Sequence, residues 1–329
     1  MASGLKSLLF VAALGAPAPV LAQDTELRSM TVSAMKDPVS KSYRRMVDGM
    51  DLFEQKRSMA PAATLRYRLL PRQRDTKMEG IALNVLGETV AIPVRVSRDG
   101  SFELERDAKA AQEDAWVMPN RKVASMTWRT EIRTPGLPPD TRRLGDLRLE
   151  CEVGMEADLV SNQRGLFSNP MRRRMGYCTE NPARYLYFSE RPLFGVTLVS
   201  GARSESLPVD ELYAGSTWRP LSRDELAVCD CEVMLERTYY LPLGDRSWPD
   251  DTLVQFEYME GGDPSPHTGK SKADMRAAFG TPTTVRFDNG YEVWLFRGKE
   301  TKNPNDRNEL VLLFDAAGAV VKSRLRIAS

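Results

Sequence analysis

The sequence predicts a mainly β protein with α+β character: a β-rich sandwich or barrel-like domain followed by a small domain with one helix on an antiparallel sheet. Two observations predict this fold class. Short runs of alternating apolar and polar residues, separated by turn residues, recur between Ala62 and Met259. After Gly269, one amphipathic helical segment precedes several strand segments.

The first residues predict export. Lys6 precedes an apolar run from Leu8 to Leu14, and small or compact residues lead to Ala22 before the polar segment that starts at Gln23. The apolar run is too short for a transmembrane anchor, which needs about 20 apolar residues. We therefore predict a signal peptide over residues 1–22, cleaved near Ala22, and a mature protein that is periplasmic or secreted. No cysteine lies near the cleavage point, so lipid attachment there is not expected.

Composition and charge narrow the class of protein. Hydrophobic residues make up 42% of the chain and charged residues 28%, which is typical of a globular protein. Without Lys6 of the signal peptide, the 46 basic residues become 45 and equal the 45 acidic ones. This balance argues against a nucleic-acid partner, because phosphate contacts require net positive charge. No later segment is long and apolar enough to span a membrane, and the oligomeric state stays open.

Four cysteines remain in the mature chain, namely Cys151, Cys178, Cys229 and Cys231. An even number suits disulfides formed in an oxidising compartment. In an extended Cys229-Asp230-Cys231 segment, a bridge between the two thiols would be strained. We therefore expect each of them to pair with one of Cys151 and Cys178. A redox-active pair and a metal site are the alternatives. For a zinc site, His267 is the only histidine that could provide a nitrogen ligand.

Residues 23–262 are predicted to form a helix and the β-rich domain. The helix covers Lys41–Met59, where Met46, Met50 and Phe53 follow helical spacing. A short helix is expected over Asp107–Ala115, and a segment from Leu147 to Val153 carries Cys151. The predicted strands are Thr64–Leu70, Ile81–Leu86, Thr89–Val96, Ser101–Leu104, Val123–Ile132, Ala183–Ser189, Leu193–Ser200, Met234–Leu241 and Thr252–Met259.

Residues 263–268 are predicted to be a linker, because two prolines interrupt regular structure there. The small domain over residues 269–329 follows. Ser271 and Asp274 have the spacing of a capping box at the start of a helix that ends at Gly280, before Pro282. The predicted strands of this domain are Thr283–Phe287, Tyr291–Arg297, Leu310–Asp315 and Val320–Ile327.

Four segments of this domain carry a resemblance to a known family. They are Gly269-Lys270-Ser271, Met275-Arg276-Ala277-Ala278-Phe279-Gly280-Thr281-Pro282, Gly290-Tyr291-Glu292-Val293-Trp294-Leu295-Phe296 and Leu313-Phe314-Asp315-Ala316-Ala317-Gly318. In order and spacing they resemble the BamE (SmpA/OmlA) family of outer-membrane assembly accessory lipoproteins. The resemblance covers about one fifth of the chain. A similar two-layer fold is found in β-lactamase inhibitor proteins.

The resemblance implies a helix packed on an antiparallel sheet, and a non-enzymatic envelope accessory factor that works through protein and lipid contacts. It also implies structural roles for the motif residues. These are Gly269, Gly280, Pro282, Gly290, Trp294, Phe314, Asp315 and Gly318.

The rest of the chain shows little that indicates catalysis. His267, the single histidine, lies in the predicted linker, and there is no Gly-x-Ser-x-Gly segment, phosphate loop or dinucleotide-binding glycine cluster. The run Arg172-Arg173-Arg174 could bind a phosphate or an acidic partner, but an exposed, solvated run is the preferred interpretation. We expect no catalytic residue, cofactor or metal.

The sequence therefore predicts a non-enzymatic exported cell-envelope protein that binds another envelope protein or component, as an assembly accessory factor does. Two alternatives stay open. One is a periplasmic hydrolase of glycan or peptide substrates, because paired carboxylates need no sequence motif. The other is a secreted enzyme inhibitor.

Overall fold

The computed structural model describes residues 40–72, 75–121, 125–160, 169–180, 184–217, 220–229, 234–298 and 308–327. The predicted signal peptide over residues 1–22 lies outside these ranges. Within them, several antiparallel sheets and shorter helical segments make the chain mainly β with α+β character, as the alternation pattern predicts.

The first half of the described chain contains two sheets. Their strands are β1 (Lys41–Ser42), β2 (Thr64–Pro71), β3 (Leu83–Leu86), β4 (Ala91–Val94), β5 (Ser101–Phe102), β6 (Trp116–Pro119) and β7 (Met126–Arg133). One sheet has the order β1-β6-β3-β4 and the other β5-β2-β7, and all neighbours are antiparallel. The predicted strand Thr64–Leu70 is confirmed as β2, whereas β6 was not predicted.

A third sheet and a strand pair follow. Their strands are β8 (Thr141–Arg143), β9 (Tyr187–Phe188), β10 (Leu193–Ser200), β11 (Arg203–Ser206), β12 (Thr238–Tyr239) and β13 (Leu253–Tyr258). The sheet has the order β11-β10-β13-β8, and β12 pairs with β9. The predicted strand Leu193–Ser200 is confirmed with both ends. The strand predicted over Met234–Leu241 is shorter, because a 3-10 turn occupies Leu235–Arg237 before β12.

The helices of this part are α1 (Tyr43–Gln55), α2 (Ala108–Gln112), α3 (Leu144–Glu156), α4 (Asn169–Arg174) and α5 (Arg223–Cys229). Further 3-10 turns lie at Arg57–Met59, Val209–Glu211 and Tyr213–Gly215. The first predicted helix is confirmed as α1. It begins where the Ser42 hydroxyl accepts a hydrogen bond from the Arg45 amide, and its Met46 and Phe53 side chains are buried.

Helix α3 lies in the interior, and every one of its residues is buried. The segment Leu147–Val153, for which the sequence analysis predicted no helix or strand, is thus helical. Its charged side chains are tolerated inside because they are paired: Arg148 lies 2.7 Å from Asp250, and Glu152 lies 2.8 Å from Lys56. Helix α1, strand β7 and helix α4 pack around it.

The cysteine pairing differs from the prediction. Cys151 in α3 is bonded to Cys178, with their Cα atoms 5.8 Å apart. Pairing of either residue with Cys229 or Cys231 is therefore wrong. The chain after α4 folds back against α3 and brings both thiols into one buried cluster. This contact joins positions 27 residues apart, so no local pattern in the sequence indicates it. Cys229 ends α5, and Cys231 lies outside the described residues.

The last part of the chain has the predicted helix and strands. The elements are α6 (Lys272–Phe279), β14 (Thr283–Arg286), β15 (Glu292–Arg297), β16 (Asn308–Phe314) and β17 (Val320–Ile327). The strands form a meander in the order β14-β15-β16-β17. Ser271 and Asp274 make the complete capping box, and Gly280 has a φ of 82° at the helix end.

The two faces of this meander are covered by different parts of the chain. Helix α6 covers one face, where Trp294, Phe296 and Phe314 pack with Met275. The other face belongs to the large core that also contains α3, β10 and β13. Its apolar residues on the meander are Val285, Phe287, Val293, Leu295, Val311 and Leu313. The described residues belong to one compact unit.

Candidate functional site

A cleft of about 260 Å³ lies under the loop that joins β7 to β8. Its deepest residues are Arg142 of β8 and Tyr239 of β12, which are 9% and 1% exposed. Phe256 and Tyr258 of β13 line it as well. A narrower cleft beside it, toward β2, shares the Arg133 end of β7. We call the two together the arginine–tyrosine cleft.

An ion pair closes the bottom of this cleft. Arg142 Nη2 lies 2.5 Å from Glu150 Oε1 of α3 and donates to the carbonyl of Ile132 at 2.6 Å. The same carboxylate accepts the Ile132 amide at 2.8 Å. Burial raises the pKa of Glu150, which the charge of Arg142 opposes. Among the described atoms, Arg142 Nε is buried without a hydrogen-bond partner.

The rim carboxylates are also held by arginines. Arg133 contacts Glu190 at 2.5 Å and Glu131 at 2.9 Å. Arg191 lies 2.7 Å from Asp140. A glycoside hydrolase needs one protonated carboxyl and one free carboxylate that face the substrate. In this cleft each described carboxylate is neutralised by a guanidinium, so the arrangement provides no such pair.

Aromatic rings in mutual contact form one wall of the cleft. The rings of Tyr185 and Tyr187 lie 4.7 Å apart, those of Tyr187 and Tyr239 lie 5.3 Å apart, and Tyr239 contacts Phe256 at 5.3 Å. Burial raises the pKa of Tyr185 to about 12 and raises the pKa of Tyr239 still further above its ordinary value. These phenols therefore stay protonated at neutral pH and can donate hydrogen bonds, but they are poor bases or nucleophiles.

The arginine run on α4 is partly structural. Arg173 contacts Glu156 at 2.6 Å and Glu152 at 3.1 Å, both on α3, and its side chain is only 14% exposed. Arg172 stacks on the ring of Tyr177 at 4.5 Å. The central arginine thus neutralises buried carboxylates next to the disulfide, which differs from the solvated run that was expected.

The family-motif residues lie in the C-terminal meander and its helix, away from the arginine–tyrosine cleft. The Gly269 amide donates to the Val320 carbonyl, Gly280 ends α6, and Pro282 precedes β14. Gly290 lies in one tight turn, and Asp315 and Gly318 lie in another. Trp294 and Phe314 pack under α6. All of these positions support the fold. The ring of His267 packs edge-on against Phe279 at 5.5 Å.

The cleft residues were not predicted from the sequence. Arg142, Glu150 and Tyr239 are separated along the chain and belong to no motif. One signal in the sequence could have indicated them. Ionisable residues that stand among buried apolar residues are expected to be paired with an opposite charge. In the described ranges, no group of three or more His, Cys, Asp or Glu side chains could hold a metal ion.

No helix of the described chain combines the length and apolar character that a membrane span requires. Comparison of the chain with protein-family models, with curated proteins and with solved structures gives no match. The buried Cys151–Cys178 bridge is a feature typical of proteins that fold in an oxidising compartment.

Proposed function

We propose that the protein is a non-enzymatic, exported cell-envelope protein that binds another envelope protein and acts as an assembly accessory factor. The observation that carries this proposal is the arginine–tyrosine cleft, in which each described carboxylate is bound to an arginine. A cleft with neutralised acids and protonated phenols is better suited to holding a polar group of a ligand or partner than to acid–base catalysis.

The C-terminal meander supports the accessory role. Its single helix on four antiparallel strands, with Gly290 and Gly318 at the turns, agrees with the arrangement that a BamE-like region implies. Because α6 covers one face and the main core covers the other, strand edges and loops are the surfaces left for a partner.

Export accounts for the start of the chain and for the disulfide. A signal peptide over residues 1–22, cleaved near Ala22, would deliver the mature protein to the periplasm, where the Cys151–Cys178 bridge forms. Amino-terminal sequencing of protein recovered from the envelope should begin at Gln23. Recovery of the precursor from the cytoplasm alone would contradict export.

The binding function is tested by chemical cross-linking of the tagged mature protein in intact cells. We expect the tagged protein to cross-link reproducibly to one envelope partner. When the tagged protein is reduced and denatured before the cross-linker is added, this partner should no longer be captured. The hydrolase alternative is tested in parallel with glycan and peptide polymers. Turnover that is lost in Glu190→Gln and retained in Glu205→Gln, a matched exposed ion-pair residue outside the cleft, would replace the binding proposal with hydrolysis.

A further inference from the structure

A groove of about 690 Å³ separates β4 from the chain that follows β5. These strands are consecutive, and the turn between them is closed by a hydrogen bond from the Ser97 amide to the Ser101 carbonyl at 2.8 Å. A regular hairpin would continue pairing beyond this turn. Here the strands diverge, because β4 pairs with β3 and β5 pairs with β2. We call the resulting wedge the splayed-hairpin groove.

The backbone of β4 presents carbonyl groups to this groove, whereas Pro93 has no amide to donate. The Gly87 amide donates to the Val90 carbonyl and closes the β3–β4 hairpin, so the alternating ladder makes Asn84 and Pro93 a non-hydrogen-bonded pair. Backbone groups at such positions point away from the partner strand. Pro93 fits there because β3 needs no amide from it. By the same alternation, carried one residue past the end of β4, we expect the amide and carbonyl of Arg95 to face the groove.

The opposite wall has the same property. The Ser101 carbonyl points away from β2, since it accepts from Ser97. If the alternation of β5 (Ser101–Phe102) continues past its end, the backbone groups of Glu103 and Glu105 face the same way. The Glu105 carbonyl accepts the Tyr43 hydroxyl at 2.7 Å, which closes the far end of the groove. Among the described residues, no backbone–backbone hydrogen bond uses the amides of Arg95 or Glu103.

Side chains give the groove an apolar floor and charged lips. Ile92 and Val94 pack into the core beneath β4, as Leu104 does beneath the other wall. Arg95 and Glu105 are exposed on the outer side, and neither has an ion pair within the described ranges. Glu103 and Arg106 on the second wall are paired with Arg66 and Asp51. The charges left for a strand between the walls are therefore Arg95 on one side and Glu105 on the other.

We propose that the splayed-hairpin groove binds an extended segment of a partner polypeptide, which adds as a strand between β4 and the chain after β5. Alternate apolar side chains of this segment contact the floor, and on its outer face an acidic side chain lies beside Arg95 and a basic one beside Glu105. The added strand joins the sheets β1-β6-β3-β4 and β5-β2-β7 into one. This inference rests on the proposed binding function and adds a second binding site, which shares no lining residue with the arginine–tyrosine cleft.

The probe is a fluorescein-labelled peptide, TVEVTVKV, measured by fluorescence anisotropy with the mature protein. The control peptide TPEPTPKP keeps the charges but lacks the amides and the strand conformation. We expect saturable binding of the first peptide and none of the second. Absence of saturable binding of TVEVTVKV, or equal binding of both peptides, would overturn the proposal.

Two variants separate backbone pairing from charge. Arg95→Ala removes the guanidinium, and Arg95→Pro also removes the amide that faces the groove. Proline at 95 leaves β3 pairing intact, because the last pair of the ladder is Leu83 with Val94. We expect Arg95→Pro to weaken peptide binding by about 3- to 10-fold more than Arg95→Ala, because proline also removes one main-chain hydrogen bond. Equal weakening would show that charge alone acts, which contradicts strand addition.

Hydrogen exchange on the unmodified protein provides a test that needs no variant. Saturating TVEVTVKV should slow exchange of the Arg95 and Glu103 amides and leave the amides of β11 unchanged, because β11 is an exposed strand at the edge of a different sheet. Unchanged exchange at both groove positions would overturn the proposal even if Arg95→Pro failed to fold.

Failure of the groove and failure of the binding function give different results. Equal cross-linking of the envelope partner by native protein and Arg95→Pro would leave the function standing and reject the groove as its site. If the native protein binds the peptide but cross-links to no envelope protein, the accessory role is rejected and the groove stands. Concentration-dependent dimers that Arg95→Pro abolishes would identify a second copy of this chain as the occupant and overturn the proposed partner.

Discussion

Arg142 and Glu150 form the most deeply placed ion pair of the arginine–tyrosine cleft, with side chains 10% and 6% exposed. Removing two charges from water is expensive, and their attraction compensates only when the geometry and the remaining hydrogen bonds are good. These conditions are met in part: Ile132 supplies a carbonyl to Arg142 and an amide to Glu150, whereas Arg142 Nε has no hydrogen-bond partner among the described atoms. The pair thereby fixes β8, β7 and α3 relative to one another at the bottom of the cleft.

Breaking this pair should be more harmful than removing it. We expect Arg142→Met to lower the free energy of unfolding by about 3–5 kcal/mol, because it leaves the Glu150 carboxylate buried without its cation. The double variant Arg142→Met/Glu150→Leu should recover part of that loss, limited by the Ile132 groups that stay unpaired. Urea denaturation followed by circular dichroism measures both. A double variant less stable than the single one would show that the pair itself is strongly stabilising.

Among the elements, α3 shows how burial can hide a helix. Its sequence from Leu147 to Val153 alternates apolar and charged residues, the period of a half-buried strand. In the structure both sides of the helix are covered, and the charged residues reach partners on other elements, among them Asp250 and Lys56. The local period therefore does not report which face is buried.

The disulfide fastens α4 and the chain after it to α3. We expect Cys151→Ser/Cys178→Ser to lower the free energy of unfolding by about 2–4 kcal/mol, because the bridge restricts the unfolded chain. Denaturation of the variant and the native protein under matched oxidising conditions measures this loss. Peptide mapping without reduction should recover a Cys151–Cys178 peptide. A peptide that joins Cys151 to Cys229 or Cys231 would contradict the structure.

Helix α6 should attach to the meander in a pH-dependent way. Burial raises the pKa of Glu292, but hydrogen bonds from Lys272 and Trp294 outweigh burial and hold the pKa below its ordinary value. The stabilisation is therefore complete above pH of about 4.3 and is lost as the pH falls through the folded-state pKa.

The variant Glu292→Gln isolates this contribution. At pH 7 we expect it to lower the free energy of unfolding by about 1–2 kcal/mol, through loss of a charged hydrogen bond. At pH 3 the difference between variant and native protein should shrink, because the native carboxyl becomes protonated. Denaturation series at pH 3, 5 and 7 measure it. A difference independent of pH would show that ionisation of Glu292 does not stabilise the contact.

On the scale of the whole molecule, the C-terminal meander shares its second apolar face with the main core. Polar contacts reinforce the junction. Arg326 donates to the Phe194 carbonyl at 2.8 Å, Lys322 donates to the Tyr258 carbonyl at 2.6 Å, and Arg297 contacts Asp210 at 2.5 Å. Residues 263–268, which the sequence predicts to be a linker, therefore precede a meander that is attached to the main core through one face.

Limited proteolysis tests how strongly this junction holds. We expect cleavage within residues 263–268, where exposed and half-buried residues alternate and none is buried. The two fragments should nevertheless co-elute in size-exclusion chromatography, because the shared core keeps them together without a peptide bond. Phe287→Asp, which places a charge in that core, should release the small fragment, whereas Thr283→Asp, at an exposed position of β14, should not. Separation of the native fragments would show two independent domains.

The predictable parts of the molecule are those with local signals. The Ser271 capping box, the turns at Gly290 and Gly318, and the run of apolar and β-branched residues in β10 each lie within a few residues, so the sequence alone predicts them. The candidate cleft could not be predicted in this way. Its residues come from β8, α3 and β12, and only their packing makes Arg142, Glu150 and Tyr239 neighbours.

By itself, the sequence determined the mainly β character, the helix and meander at the C-terminal end, and the positions of most strands, because periodicity, caps and turn residues act locally. The tertiary structure alone decided that Cys151 pairs with Cys178, that the alternating segment around Cys151 is a buried helix, and that β4 and β5 diverge into a groove. Each of these outcomes depends on partners far along the chain. Burial overrides the local preference where buried charges form ion pairs with other elements. Long-range pairing overrides it where a strand pairs with a strand that is not its neighbour along the chain.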